Sequence, residues 1–66
     1  MSSIGRKIRL ARKARGLTQD QLGKLVNLGR SAVSHHEIGI NDIDIETLKR
    51  YARALGKPLS YFLNEA

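Results

Sequence analysis

Arg30, Ser31, Ser34 and His35 stand close together in a chain of 66 residues. On a helix turning ~100° per residue, with Arg30 at zero, Ser34 falls near ~40°, Ser31 near ~100° and His35 near ~140°. Four side chains able to donate or accept hydrogen bonds therefore share one stripe. Val33, near ~300°, points elsewhere, with Glu37 near ~340° beside it. The stripe suits the reading of base edges. A guanidinium can hold guanine O6 and N7 with two hydrogen bonds, worth ~1–3 kcal/mol of discrimination. The serine hydroxyls can serve a base or a phosphate. An imidazole can donate to guanine or bind phosphate, and its charge would make that binding depend on pH. One face packs and the opposite face meets the groove, which is the division that a recognition helix needs.

Such a helix must be held by its neighbours. Thr18, with Gln21 three residues on, makes a capping box that opens a helix. Leu22, Leu25 and Val26 form its expected inner face, and Asn27 suits the left-handed residue that stops it. Gly29 is the N-cap of the next helix, which runs from about Arg30 to Ile38 with Gly39 past its end. Gly23 lies inside the first of the two helices, where glycine costs ~1 kcal/mol relative to alanine. A close approach of the second helix requires a small residue there, with Leu28 and Val33 closing the small core. From Gly16 to Gly39 the chain thus spells a capped helix, a three-residue turn and a second short helix. This is the form of a DNA-binding helix-turn-helix.

Three further helices are expected around this unit, in an all-α fold without a sheet. The first runs from about Ser3 to Ala14, with Ile4, Ile8 and Ala11 on one face. Ser2 or Ser3 caps it and Gly16 ends it. The fourth follows Asp44 as N-cap, turns Ile45, Leu48, Ala52 and Leu55 inward, and stops at Gly56. Lys49, Arg50 and Arg53 lie on its outer side. The fifth is short, about Pro58 to Leu63, with Leu59, Phe62 and Leu63 buried and Pro58 suited to a first turn. No repeat, linker or low-complexity tract interrupts residues 1–66, which read as one domain.

Size and charge narrow the function. So short a chain builds a small core, which disfavours an enzyme with a deep pocket. Cysteine is absent, so no disulfide or thiolate zinc site can staple the fold. No apolar run approaches the ~20 residues of a membrane span. Met1-Ser2-Ser3 does not open a signal peptide. The net charge of +6 is unevenly spread. Residues 1–30 carry eight basic residues against Asp20 alone, a net +7; residues 31–66 carry four basic against five acidic, a net −1. The positive field sits in the half that holds the recognition stripe, as phosphate binding requires.

The chain resembles the lambda-type phage repressor and Cro class of helix-turn-helix proteins, also called the XRE family. The likeness runs through I-R-L-A-R-K-A-R-G-L-T-Q at Ile8–Gln19, L-G-K-L-V-N-L-G-R-S-A-V-S at Leu22–Ser34, Glu37 and Gly39. It continues in I-E-T-L at Ile45–Leu48, A-L-G at Ala54–Gly56 and F-L at Phe62–Leu63. The resemblance implies a compact five-helix bundle and sequence-specific major-groove binding, usually as a homodimer on a near-palindromic operator. It places Arg30, Ser31 and His35 at base-reading positions, with Ser34 beside them on the stripe. Gln19 matches a glutamine that braces against a phosphate and supports the recognition helix. Backbone amides near Thr18 and Gly29, and the side chain of Lys24, are the further phosphate contacts expected. Arg12 and Glu37 match a pair that in some members is a partly buried salt bridge between the first and third helices.

The chain departs from that pattern in three places. Gly29 replaces a Ser or Thr cap and supplies no side-chain oxygen. His36 replaces a large apolar residue and reads as a half-buried neutral histidine. With His35 it makes no metal pair, since helical neighbours diverge by ~100° and no third ligand is at hand. The segment Ile38–Asp44 holds isoleucines and two aspartates where basic residues are usual. Exposure of Ile38 and Ile40 would mark a contact with a second subunit or another protein.

The expected function is that of a transcriptional regulator, a repressor that binds duplex DNA as a homodimer, without cofactor or metal, in the cytoplasm at the nucleoid. The surface expected to join two subunits is that of the fourth and fifth helices, with Lys57, Pro58 and Tyr61. Two alternatives use the same fold. One is an antitoxin that binds a protein toxin and autoregulates its promoter, and the other is a restriction–modification controller. No spacing of Thr, Ser and His forms a nucleophile–base pair, and no acidic dyad stands out, so no catalytic residues are expected.

Overall fold

In the computed structural model, which describes residues 3–64, five helices follow one another: α1 Ser3–Ala14, α2 Gln19–Val26, α3 Arg30–Ile38, α4 Ile45–Leu55 and α5 Leu59–Leu63. There is no strand among the described residues. Ser2, one of the two expected caps of α1, lies outside them. The helices end where local chemistry ends them. Asn27 closes α2 at φ 60°, ψ 43°, and Gly39 and Gly56 close α3 and α4 in the same left-handed region.

The amphipathic faces meet in one core of Ile8, Ala11, Leu22, Val26, Val33, Leu48, Tyr51, Ala52, Leu55 and Phe62. Ile4, Leu17, Leu28, Ile43, Leu59 and Tyr61 pack half-buried around it. α1 touches α3, α4 and α5, while α2 touches α3 and α4. The first helix is therefore the post against which the recognition helix leans. Gly5 permits that lean: a Cβ there would lie 2.4 Å from the Glu37 carbonyl oxygen and 2.5 Å from that of His36. Nothing larger than hydrogen fits between α1 and the end of α3.

Three expected core residues are not buried. Leu25 is 60% exposed, Ile45 48% and Leu63 51%. Ile45 and Leu63 stand in the first turn of α4 and the last turn of α5, beyond the reach of a covering helix. In α2 the buried residues are Leu22, Gly23 and Val26. Their arc centres between Leu22 and Gly23 and rotates Leu25 outward. Tyr51, not among the expected core residues, is wholly enclosed.

Candidate nucleic-acid interface

The interface is built on α2, the turn and α3. Thr18 caps α2 with a reciprocal pair of bonds. The Gln21 amide donates to Thr18 Oγ1 at 3.0 Å, and the Thr18 amide donates to Gln21 Oε1 at 2.9 Å. The turn then folds back on Gly23. Leu28 N–H donates to the Gly23 carbonyl at 2.8 Å, and a Cβ on Gly23 would stand 2.5 Å from the Leu28 carbonyl oxygen. Gly23 was expected to make room for α3; its tightest neighbour is the turn backbone that carries α3. Gly29 starts α3 with no side-chain hydrogen bond, and a Cβ there would meet nothing.

Beneath α3 lies a buried polar cluster. Arg12 Nε donates to Glu37 Oε2 at 2.6 Å and Arg12 Nη2 to Glu37 Oε1 at 3.1 Å. Arg12 Nη1 donates to the Leu17 carbonyl at 2.9 Å, and Gln19 Nε2 donates to Glu37 Oε1 at 3.2 Å. Glu37 is 1% exposed and Arg12 8%. No buried side-chain nitrogen or oxygen among the described residues lacks a partner. An ion pair out of water is sustained only when its remaining hydrogen-bonding capacity is met, and here the Leu17 carbonyl and Gln19 meet it. The cluster joins α1, the turn after it, α2 and α3. It fixes how far α3 stands from the α2 N-terminus.

His36 braces the far side of α3. Its Nδ1 and the Tyr51 hydroxyl are 2.7 Å apart, and the rings meet edge to face at 5.7 Å between centroids. Partial burial depresses the His36 pKa, so the neutral ring expected from the sequence is favoured. The Tyr51 phenol is pushed up, first by burial and then by the Glu37 charge.

With α3 so held, Arg30, Ser31 and His35 are exposed. Ser34, expected on the same open stripe, is only half-exposed, because its position turns toward the packed side. The expected phosphate contacts separate as well. The Gln19 amide points inward to Glu37, the support role of the two foreseen for it. The Thr18 hydroxyl is engaged as a cap. Lys24 is exposed, 3.6 Å from Asp20 on the same helix. An open groove of about 590 Å³ runs past Thr18, Gln19 and Arg30, with the Arg12 side chain in its wall. Sequence reasoning passed over Gly5 and Tyr51. The i, i+3, i+4, i+7 spacing of Leu48, Tyr51, Ala52 and Leu55 is the signal that could have found Tyr51.

The chain is similar to known proteins in sequence and fold. A helix-turn-helix family profile matches residues 8–62. A regulator from Rickettsia conorii, named as an uncharacterized HTH-type transcriptional regulator, is 34% identical over 61 residues, 92% of this chain and 49% of that protein. The P22 c2 repressor, solved in complex with a synthetic operator, superposes with a TM-score of 0.89 at 29% identity, covering 100% of both chains. The restriction-modification controller protein C.AhdI from Aeromonas hydrophila superposes with a TM-score of 0.87 at 30% identity, covering 91% of each chain. The chain spans about half the length, 45–49%, of the curated relatives it matches. By its profile match, its five helices and its braced turn, the chain belongs to the helix-turn-helix family of the lambda-repressor type.

Proposed function

We propose that this chain is a sequence-specific DNA-binding unit of a transcriptional regulator. It acts as a repressor and binds a near-palindromic operator as a homodimer in the cytoplasm. The observation that carries the reading is the two-sidedness of α3. Val33 and Glu37 are buried, while Arg30, Ser31 and His35 are exposed within about one and a half turns of the helix. Arg30 reads guanine, Ser31 and His35 read the neighbouring bases, and Ser34 contacts the groove wall. Backbone amides near Thr18 and Gly29, the free edge of the Gln19 amide, and Lys24 hold phosphates and set the register. The likeness to the P22 c2 repressor, solved in complex with a synthetic operator, supports duplex DNA as the ligand. Repression follows from occlusion of polymerase.

The superposition on C.AhdI favours a second reading, a controller of a restriction–modification pair, which uses the same interface. The antitoxin reading draws on Ile38 and Ile40, which are exposed as a protein-binding loop requires.

Selection of bound duplexes from a random-sequence pool at near-physiological salt tests the proposal. An enriched inverted repeat with half-site centres ~10 base pairs apart is expected. Binding without enrichment, and sensitive only to salt, would contradict it.

A further inference from the structure

Among the described residues, one side-chain hydrogen bond joins α3 to α4: His36 Nδ1 and the Tyr51 hydroxyl, 2.7 Å apart. Tyr51 is wholly enclosed, so its hydroxyl is shut off from solvent, and it has no second hydrogen-bond partner among the described residues. A buried donor left unmatched is costly. Burial and the Glu37 charge keep the phenol protonated, so the donor is always there to be matched. The Tyr51 proton therefore points at His36 Nδ1, which must be the bare nitrogen of the ring. The ring's own proton then sits on Nε2. An imidazole offers such an acceptor only while neutral, since both nitrogens donate once it is charged.

The bond has a definite place on the circumference of α3. With Arg30 at zero, His36 falls near ~240° and Glu37 near ~340°, while the exposed stripe of Arg30, Ser31 and His35 centres near ~70°. His36 thus lies almost opposite the stripe. Glu37 ties α3 to α1 and α2 through Arg12 and Gln19, and His36 ties it to α4. Two ties ~100° apart hold a helix against rotation about its own axis. The Glu37 tie alone leaves it a pivot.

We propose that His36 is a positioning residue for base reading, and that it holds α3 only as the neutral ring that accepts from Tyr51. A proton taken up from solvent at Nδ1 sets two donors against each other. Either the Tyr51 proton turns into a space without an acceptor, or the ring leaves the joint. The charged groups around the ring divide. Asp44, the N-cap of α4, favours the charged ring, and His35 on α3 opposes it. Glu37, its neighbour in the chain, is held by Arg12 and Gln19, and from α1 it is the uncharged Gly5 that packs against the His36 carbonyl. Released from Tyr51, α3 turns and the stripe loses its register with the bases. Acid thus weakens specific binding through His36, whereas an added positive charge by itself tightens binding to a polyanion. The inference rests on the reading of α3 as the helix that contacts DNA.

The test compares the wild type with Tyr51→Phe and His36→Asn. Nitrogen NMR of the His36 ring, without DNA, is expected to show Nδ1 bare and Nε2 protonated at neutral pH. A proton on Nδ1 would overturn the proposal. Affinities for the selected operator and for a random duplex are then measured between pH 7 and pH 5, with folding checked by circular dichroism at each pH. Over that range the wild type should lose specific affinity about threefold to tenfold relative to Tyr51→Phe, one proton permitting at most about tenfold per pH unit. His36→Asn keeps an acceptor that does not titrate, so it should bind like the wild type at pH 7 and keep that affinity at pH 5. All three proteins retain His35, so its own titration cancels in the comparison. Parallel profiles for the wild type and Tyr51→Phe would overturn the proposal alone. A wild type that does not prefer the operator to the random duplex at pH 7 would overturn the DNA-binding reading instead.

Discussion

The unit from Thr18 to Glu37 and the stretch from Ile38 to Leu63 hold themselves in different ways. In the first, single polar groups decide the geometry. Thr18 and Gln21 cap each other, Asn27 supplies the left-handed turn, and Glu37 under α3 is satisfied by Gln19 and by Arg12 reaching in from α1. In the second, Asp44 starts α4 with a bond from the Thr47 hydroxyl but no reciprocal box, and Pro58 starts α5 with no side-chain bond. What holds those helices is apolar packing of Leu48, Tyr51, Ala52, Leu55 and Phe62 on α1 and α2. Directional bonds set the orientation of α3 against α1 and α2. Apolar packing tolerates repacking and fixes orientation less tightly. Precision is concentrated where a side chain must meet a base edge, and the supporting half supplies bulk.

The largest expected effect is at the centre of the polar cluster. Glu37→Ala leaves the Arg12 guanidinium buried without its carboxylate and should cost about 3–5 kcal/mol. Urea denaturation measures this, and the double variant Arg12→Met/Glu37→Leu should recover much of the loss. A Glu37→Ala protein as stable as the wild type would mean that the cluster holds nothing.

Gly23→Ala comes next. Helix propensity alone predicts a gain of ~1 kcal/mol. The 2.5 Å approach of the Leu28 carbonyl predicts a net loss of about 1–3 kcal/mol instead, and the sign of the change in denaturation midpoint separates the two.

A smaller effect contrasts the two regions directly. Thr18→Ala removes a capping box and should cost about 1 kcal/mol. Ile40→Ser, on the exposed loop, should stay within about 0.5 kcal/mol. Equal losses in thermal unfolding would erase the contrast.

The smallest effect lies at His36, where the two regions meet through Tyr51. Its pKa is lower folded than unfolded, so the native state binds fewer protons. The stability it lends is fully present above its ordinary value of ~6.5 and is lost as the pH falls through and below that value. Between about pH 7 and pH 5 the wild type should therefore lose more stability than His36→Phe. Asp44, also lowered, acts only below its ordinary value of 3.8 and leaves that window clear.

Most of the fold is legible in residue types because its boundaries are set locally. A threonine three residues before a glutamine, an asparagine after Val26, and glycines after Ile38 and Leu55 each have a short-range physical reason. Burial is less legible, since it depends on what covers a face. Leu25, Ile45 and Leu63 carry the hydrophobicity of core residues, but no helix reaches them. Tyr51 carries a hydroxyl that suggests the surface, yet His36 satisfies it inside. At the site, the stripe of Arg30, Ser31 and His35 follows from helical spacing alone. The inward turn of Gln19 does not, because it depends on Glu37 arriving from 18 residues away.

The most direct test of α3 as a base-reading helix is the affinity and base preference of Arg30→Ala on the selected operator. Arg30 is exposed and makes no ion pair among the described residues, so its removal should leave the fold intact. The expected result is a loss of about 1–3 kcal/mol in specific binding, with relaxed preference at one base pair per half-site. Unchanged affinity and unchanged preference would contradict the account.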